Sequence, residues 1–115
     1  MSKKITWLDW LPESMTVAPS ELMTREDLLD RLYHAGVETS LPNLRRWEYD
    51  GVLPAAIRQR HEGASRAVYP PFVFELAYGL RRLQRQGWSV AKIARFYQNL
   101  RDDFRAFMAQ QDNAA

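Results

Sequence analysis

Residues Leu44 to Pro54 read Leu-Arg-Arg-Trp-Glu-Tyr-Asp-Gly-Val-Leu-Pro, and the reading of this stretch decides the rest. Just upstream, Ser40 supplies a capping hydroxyl and Pro42 falls in a first turn, where a missing N–H is harmless. Leu41, Leu44 and Trp47 or Glu48 then lie on one side of a short helix. Asn43, Arg45, Arg46 and Tyr49 are left on its open side. Gly51 closes the helix, because a left-handed residue is favoured there.

The neighbouring segments extend this pattern in both directions. Thr24-Arg25-Glu26-Asp27 places a capping hydroxyl ahead of acids that complement a helix dipole. Leu28, Leu29, Leu32 and Tyr33 supply an apolar stripe, and Gly36 ends this first helix. Two helices so closely spaced form a helix-turn-helix pattern. Downstream, Val52 to Tyr69 is basic, with Gly63 near its middle. Alternation at Ile57, Gln59 and His61, then at Ala67 and Tyr69, predicts two short strands meeting at His61 to Ser65.

Pro70 and Pro71 open a third helix. Phe72, Phe74, Leu76, Ala77, Leu80 and Leu83 face mostly inward, and Arg81, Arg82 and Arg85 face outward. Gly87 breaks it and Ser89 caps a fourth, which carries Val90, Ile93, Tyr97, Leu100, Phe104 and Phe107 in a heptad seam. Val90, Ile93 and Tyr97 are assigned to the chain's own core. Leu100, Phe104 and Phe107 extend beyond it and call for a second copy of the chain. At the other end, Trp7, Trp10 and Leu11 share one side of a short helical turn, with Pro12 and Pro19 preventing a longer one. They pack on the main domain or form an arm that holds a partner. The expected organisation is an N-terminal arm over 1–23, a DNA-binding domain over 24–96 and a C-terminal helical extension over 97–115. The expected fold class is mainly α, a winged helix-turn-helix with a short β-hairpin wing.

Composition narrows the chemistry. The 115 residues include no cysteine, which excludes disulfides and thiolate metal sites, and only two histidines, so no metal or cofactor is expected. No secretory signal or membrane span is visible, and a cytoplasmic, nucleoid-associated location is expected. Sixteen basic residues against fourteen acidic ones leave a net charge of +2. The distribution says more. Thr24 to Asp50 holds four arginines and six acids, a balance of −2, whereas Gly51 to Trp88 holds six arginines and two acids, a balance of +4. Arginine is the side chain best suited to phosphate and guanine. No catalytic constellation stands out. Asp102 and Asp103 are flanked by Arg101 and Arg105 on a solvated helix face, so an enzyme is not expected.

Thr24 to about Phe96 resembles the DNA-binding domain of MerR-family regulators. The matching pieces are the Thr-Arg-Glu-Asp start, Gly36-Val37, Leu44-Arg45-Arg46-Trp47-Glu48 with Gly51-Val52-Leu53-Pro54, Arg66-Ala67-Val68-Tyr69, Leu80-Arg81-Arg82-Leu83 and Gly87-Trp88-Ser89-Val90. The turn from Glu38 to Leu41 is longer than usual, and Arg46 replaces a common aromatic. The family's effector-sensing domain has no room after Phe104, so a small-molecule switch is not expected. The resemblance implies a winged helix that binds double-stranded DNA as a homodimer.

On that reading the second helix enters the major groove, where each base pair shows a distinct donor and acceptor pattern. Arg46 reads a base and Arg45 and Tyr49 contact phosphates, with Asn43 on the same open, DNA-facing side. Arg58, Arg60, His61 and Arg66 in the wing reach the backbone or minor groove, and Arg81, Arg82 or Arg85 continue the basic track. Transcription regulation is the first expectation. An excisionase-like or small-terminase-like architectural factor is the second. The third is a protein-interaction module that has lost DNA binding, motivated by Glu38, Glu48, Asp50 and the tryptophan-rich arm.

Overall fold

The computed structural model describes residues 5–13 and 15–113. Its order is a 3-10 turn Trp7–Trp10, a second such turn Pro19–Glu21, β1 Met23–Thr24, α1 Arg25–His34, α2 Leu41–Tyr49, β2 Ile57–His61, β3 Ala64–Tyr69, α3 Phe72–Arg85 and α4 Val90–Asn113. The chain is mainly helical, with one small antiparallel sheet in the order β1-β3-β2.

Local chemistry sets the helix boundaries. At α1, the Asp27 amide donates to Thr24 Oγ1 at 3.1 Å and the Thr24 amide donates to Asp27 Oδ2 at 3.0 Å. This reciprocal box satisfies two donors that the first turn leaves free. At α2, the Asn43 amide donates to Ser40 Oγ, and at α4 the Lys92 amide donates to Ser89 Oγ. Gly36, Gly51 and Gly87 take positive φ at 87°, 77° and 92°, ending α1, α2 and α3 in turn.

The hairpin is tight. His61 pairs with Ala64, so Glu62 and Gly63 alone make the turn, with φ of 51° and 80°. Two positive-φ residues match the right-handed twist of the flanking strands. β1 is a finding the alternation did not predict. Met23 and Thr24 pair with Tyr69 and Val68. Two residues are too few to show a period of two.

The core is one cluster that includes Leu28, Leu32, Leu44, Trp47, Tyr69 and Ile93. One alternative is decided here and two expectations are corrected. First, the segment before β1 is a built-in layer. Trp7, Trp10 and Leu11 are buried, Trp7 Nε1–H donates to the Val68 carbonyl at 2.9 Å, and Thr6 bridges Ala55. Packing on the domain therefore holds over a free partner-binding arm. Second, Phe104 does not wait for another chain. Its ring lies 6.0 Å from Trp10 and 5.2 Å from Phe72, and those two rings are 5.8 Å apart. The second half of α4 returns to the domain because the N-terminal turn gives it a surface. Third, Tyr33 leaves the α1 stripe and is 62% exposed. Leu32 in the same turn is buried, but Tyr33 lies about 140° round the helix from Leu28 and so falls off the buried side.

Candidate nucleic-acid interface

The two sides of α2 differ in chemistry. Leu44, Trp47 and Glu48 are buried, while Arg45, Arg46 and Tyr49 are exposed, Tyr49 at 88%. Pro42, Arg45, Arg46 and Tyr49 follow the i, i+3, i+4, i+7 spacing of one helix face. Asn43 flanks this stripe, partly covered. Arg46 is held only loosely: its Nε is 3.8 Å from Asp50 Oδ2, and its side chain is 79% exposed. An ion pair this open contributes little and yields readily to a stronger acceptor.

Arg58 and Arg60 alternate along β2, so they share one face of the hairpin, opposite Ala67 and Ser65. Both are exposed. Arg66 does not join them. It pairs across from Gln59 on the other face, partly buried, with its Nε enclosed and without a hydrogen-bond partner. The side chain of His61, a predicted wing contact, lies outside the described residues.

On α3 the predicted basic track divides. Arg81 is partly committed: its guanidinium lies 6.0 Å from the Trp47 ring centroid, bonds Gln84 Oε1 at 3.1 Å and reaches the Glu38 carbonyl at 3.5 Å. It helps hold α3 against α2 and the 35–40 turn. Arg81 and Arg85 line one open hollow beside His34. Arg82 turns away and lies 5.9 Å over Tyr78. A further cleft of about 570 Å³ lies between the C-terminal end of α2 and α4, lined by Ile5, Trp10, Asp50 and Arg101 among others. It presents both signs of charge and selects no ligand class.

The sequence reading missed Glu48. It counted as one acid beside the second helix, yet its side chain is 1% exposed. Glu48 Oε1 accepts the Ala56 amide at 2.7 Å and the Tyr69 hydroxyl at 2.9 Å, and Oε2 accepts Arg25 Nη2 at 3.0 Å. Arg25 Nε also donates to the Tyr69 oxygen at 3.3 Å. Burial opposes the charge on Arg25, but its bonds and charge contacts with Tyr69 and Glu48 outweigh that and raise its pKa. Burial raises the Tyr69 phenol, and the neighbouring carboxylate adds to this. A buried carboxylate is tolerable here because three donors meet it, one of them the Arg25 cation.

Among the described residues no group of three or more His, Asp or Glu is placed to hold a metal ion. No helix among them is long and apolar enough to cross a membrane. Searches of family models, curated proteins and solved structures returned no match for this chain.

Proposed function

We propose that this chain is a small double-stranded-DNA-binding protein of the winged helix-turn-helix type, similar to the MerR DNA-binding domain and acting as a transcription regulator. α2 is the recognition helix and the β2–β3 hairpin is the wing. The observation that carries this reading is the outer stripe of α2. Arg45, Arg46 and Tyr49 project from a helix whose other side is fixed by buried Leu44 and Trp47. Charged and aromatic groups on a rigid helix suit base edges and phosphates. Arg58 and Arg60 add backbone contacts.

A single domain of this size covers a small DNA interface, so specificity calls for two copies. In this reading α4 supplies the contact through Leu100 and Phe107 of the heptad, with Phe96 in place of Phe104. Phe96, Leu100 and Phe107 remain 45%, 37% and 55% exposed. At about 100° per residue they fall within about 40° of each other on the helix. They form one apolar stripe beside the face that Phe104 buries. The interaction-module alternative loses one motive, since Glu48 is enclosed and fully bonded rather than offered to a partner.

The test is fluorescence anisotropy of a labelled duplex across about 50 to 200 mM salt, where phosphate-driven binding weakens steeply. Wild-type protein should bind with a steep log-log slope. On a selected site, Arg46→Ala should cost about 1–3 kcal/mol and relax one position, whereas Arg45→Ala should weaken all sequences alike. Unchanged binding after both substitutions together would reject α2 as the recognition helix.

A further inference from the structure

We infer that Glu48 is a positioning residue that fixes the angle of the hairpin against α2, so that both basic surfaces can engage one duplex. This rests on the DNA-binding reading above. The geometry is specific. Ala56 immediately precedes β2, and Tyr69 is the last residue of β3. One carboxylate oxygen therefore bonds both feet of the hairpin, at 2.7 Å and 2.9 Å. The other oxygen bonds Arg25, the first residue of α1. The carboxylate itself belongs to the last turn of α2, next to exposed Tyr49 and on the opposite side of the helix from Arg46.

The hairpin needs such a tie. Its outer half is exposed on both strands, from Arg60 through Ser65 apart from His61, whose side chain is not described. Its base is where orientation is set, because a small tilt at the feet moves Arg58 and Arg60 most. Tyr69 shares a face of β3 with Ala67 and Ser65, the partners of Arg58 and Arg60, so the phenol that bonds Glu48 lies on the face that carries both arginines. A carboxylate can accept all of these bonds at once. An amide cannot, since its nitrogen would confront the Arg25 guanidinium, donor to donor.

The experiment compares wild type, Glu48→Gln, Arg58→Ala/Arg60→Ala and the triple variant on one labelled duplex over a salt series. Each phosphate contact contributes about 0.9 to the log-log slope, so losing the two wing arginines should reduce its magnitude by about 1.8. Glu48→Gln should reduce it by a similar amount. Added to the arginine-deleted protein, it should change affinity by less than about twofold. Equal weakening in both backgrounds, or an unchanged slope, overturns the inference. Amide hydrogen exchange provides a readout without DNA. Glu48→Gln should lose protection from Ala56 to Tyr69 while α2 keeps its own. Uniform loss across the core would mean Glu48 only stabilises, and would overturn the inference too. Should Glu48→Gln not fold, Tyr69→Phe removes the phenol's bonds to Glu48 and Arg25 but leaves the carboxylate its bonds to Ala56 and Arg25, introduces no new donor, and should give a smaller change of the same pattern. A wild-type chain that binds no duplex rejects the DNA reading alone, and hydrogen exchange then decides the latch by itself.

Discussion

Gly79 and Tyr97 show how one missing methyl can position a helix. Tyr97 O–H donates to the Leu76 carbonyl at 2.6 Å, joining α4 to α3. A Cβ on Gly79 would stand 3.0 Å from that hydroxyl oxygen. Glycine inside a helix normally costs about 0.5–1 kcal/mol against alanine. Here the close approach reverses the preference. Gly79→Ala should destabilise the native chain, yet stabilise a Tyr97→Phe background, in which the crowded oxygen is gone. Urea unfolding of the four proteins of this cycle measures the sign, and a stabilising Gly79→Ala in the native background would contradict it. The same hydroxyl gives a pH prediction. Burial raises the pKa of Tyr97, and burial with a nearby carboxylate raises that of Tyr69. An unfolded tyrosine ionises near about 10. Both phenols therefore contribute stability that is complete below about pH 10 and is lost as pH rises towards their higher folded values. Thermal denaturation from about pH 9 to 11 should show falling stability, and Tyr69→Phe with Tyr97→Phe should flatten that fall.

At the scale of elements, whatever depends on local chemistry was legible in the sequence. Thr24 and Ser40 mark helix starts, Gly36 and Gly51 mark helix ends, and Gly63 marks the hairpin turn. Contacts between distant residues were not. Glu48 stands beside core Trp47 in the last turn of its helix, but its partners are 8, 21 and 23 residues away, and no local pattern reports them. The candidate site was legible in its α2 half, where side is fixed by helical period. It was less so in the hairpin, where Arg58 and Arg66 look alike until register puts them on opposite faces. The heptad of α4 likewise marks an apolar seam without saying whose surface covers it. Phe104 belongs to this chain's core, so Phe104→Ala should lower unfolding free energy by about 2 kcal/mol, below the 3–5 typical of a fully buried ring. Leu100→Ser with Phe107→Ser should leave the unfolding free energy of the monomer within about 0.5 kcal/mol, as surface changes usually do. If α4 joins two copies, that pair should abolish the dimer in sedimentation velocity while Phe104→Ala leaves it in place. The opposite pattern would return the seam to its original assignment.

At the scale of the whole molecule, the N-terminal segment makes one cooperative unit out of parts that look separable in sequence. Trp7 bonds the strand β3 through its indole N–H, Thr6 bridges the loop after α2, and Trp10 packs beside both Phe72 of α3 and Phe104 of α4. The segment thus touches the hairpin, the loop that follows the candidate recognition helix and the candidate dimer helix at once. A small domain has a modest stability margin, of the order of 5–15 kcal/mol, against which such contacts weigh heavily. Trp7→Ala should cost about 3–5 kcal/mol, through lost burial and an orphaned carbonyl on Val68. Trp10→Ala should cost a similar amount and also release the second half of α4, because Phe104 then keeps Phe72 but loses the other ring it packs on. A dispensable arm predicts otherwise: both variants would unfold at the wild-type urea midpoint, with the cooperativity of the transition unchanged. If the segment is integral, the midpoint falls in both, and in Trp10→Ala hydrogen exchange should accelerate first from about residue 100 onward. DNA binding should follow stability rather than being lost separately, because neither tryptophan reaches the exposed stripe of α2. A tryptophan variant that kept full stability but lost binding would restore the arm as a contact surface.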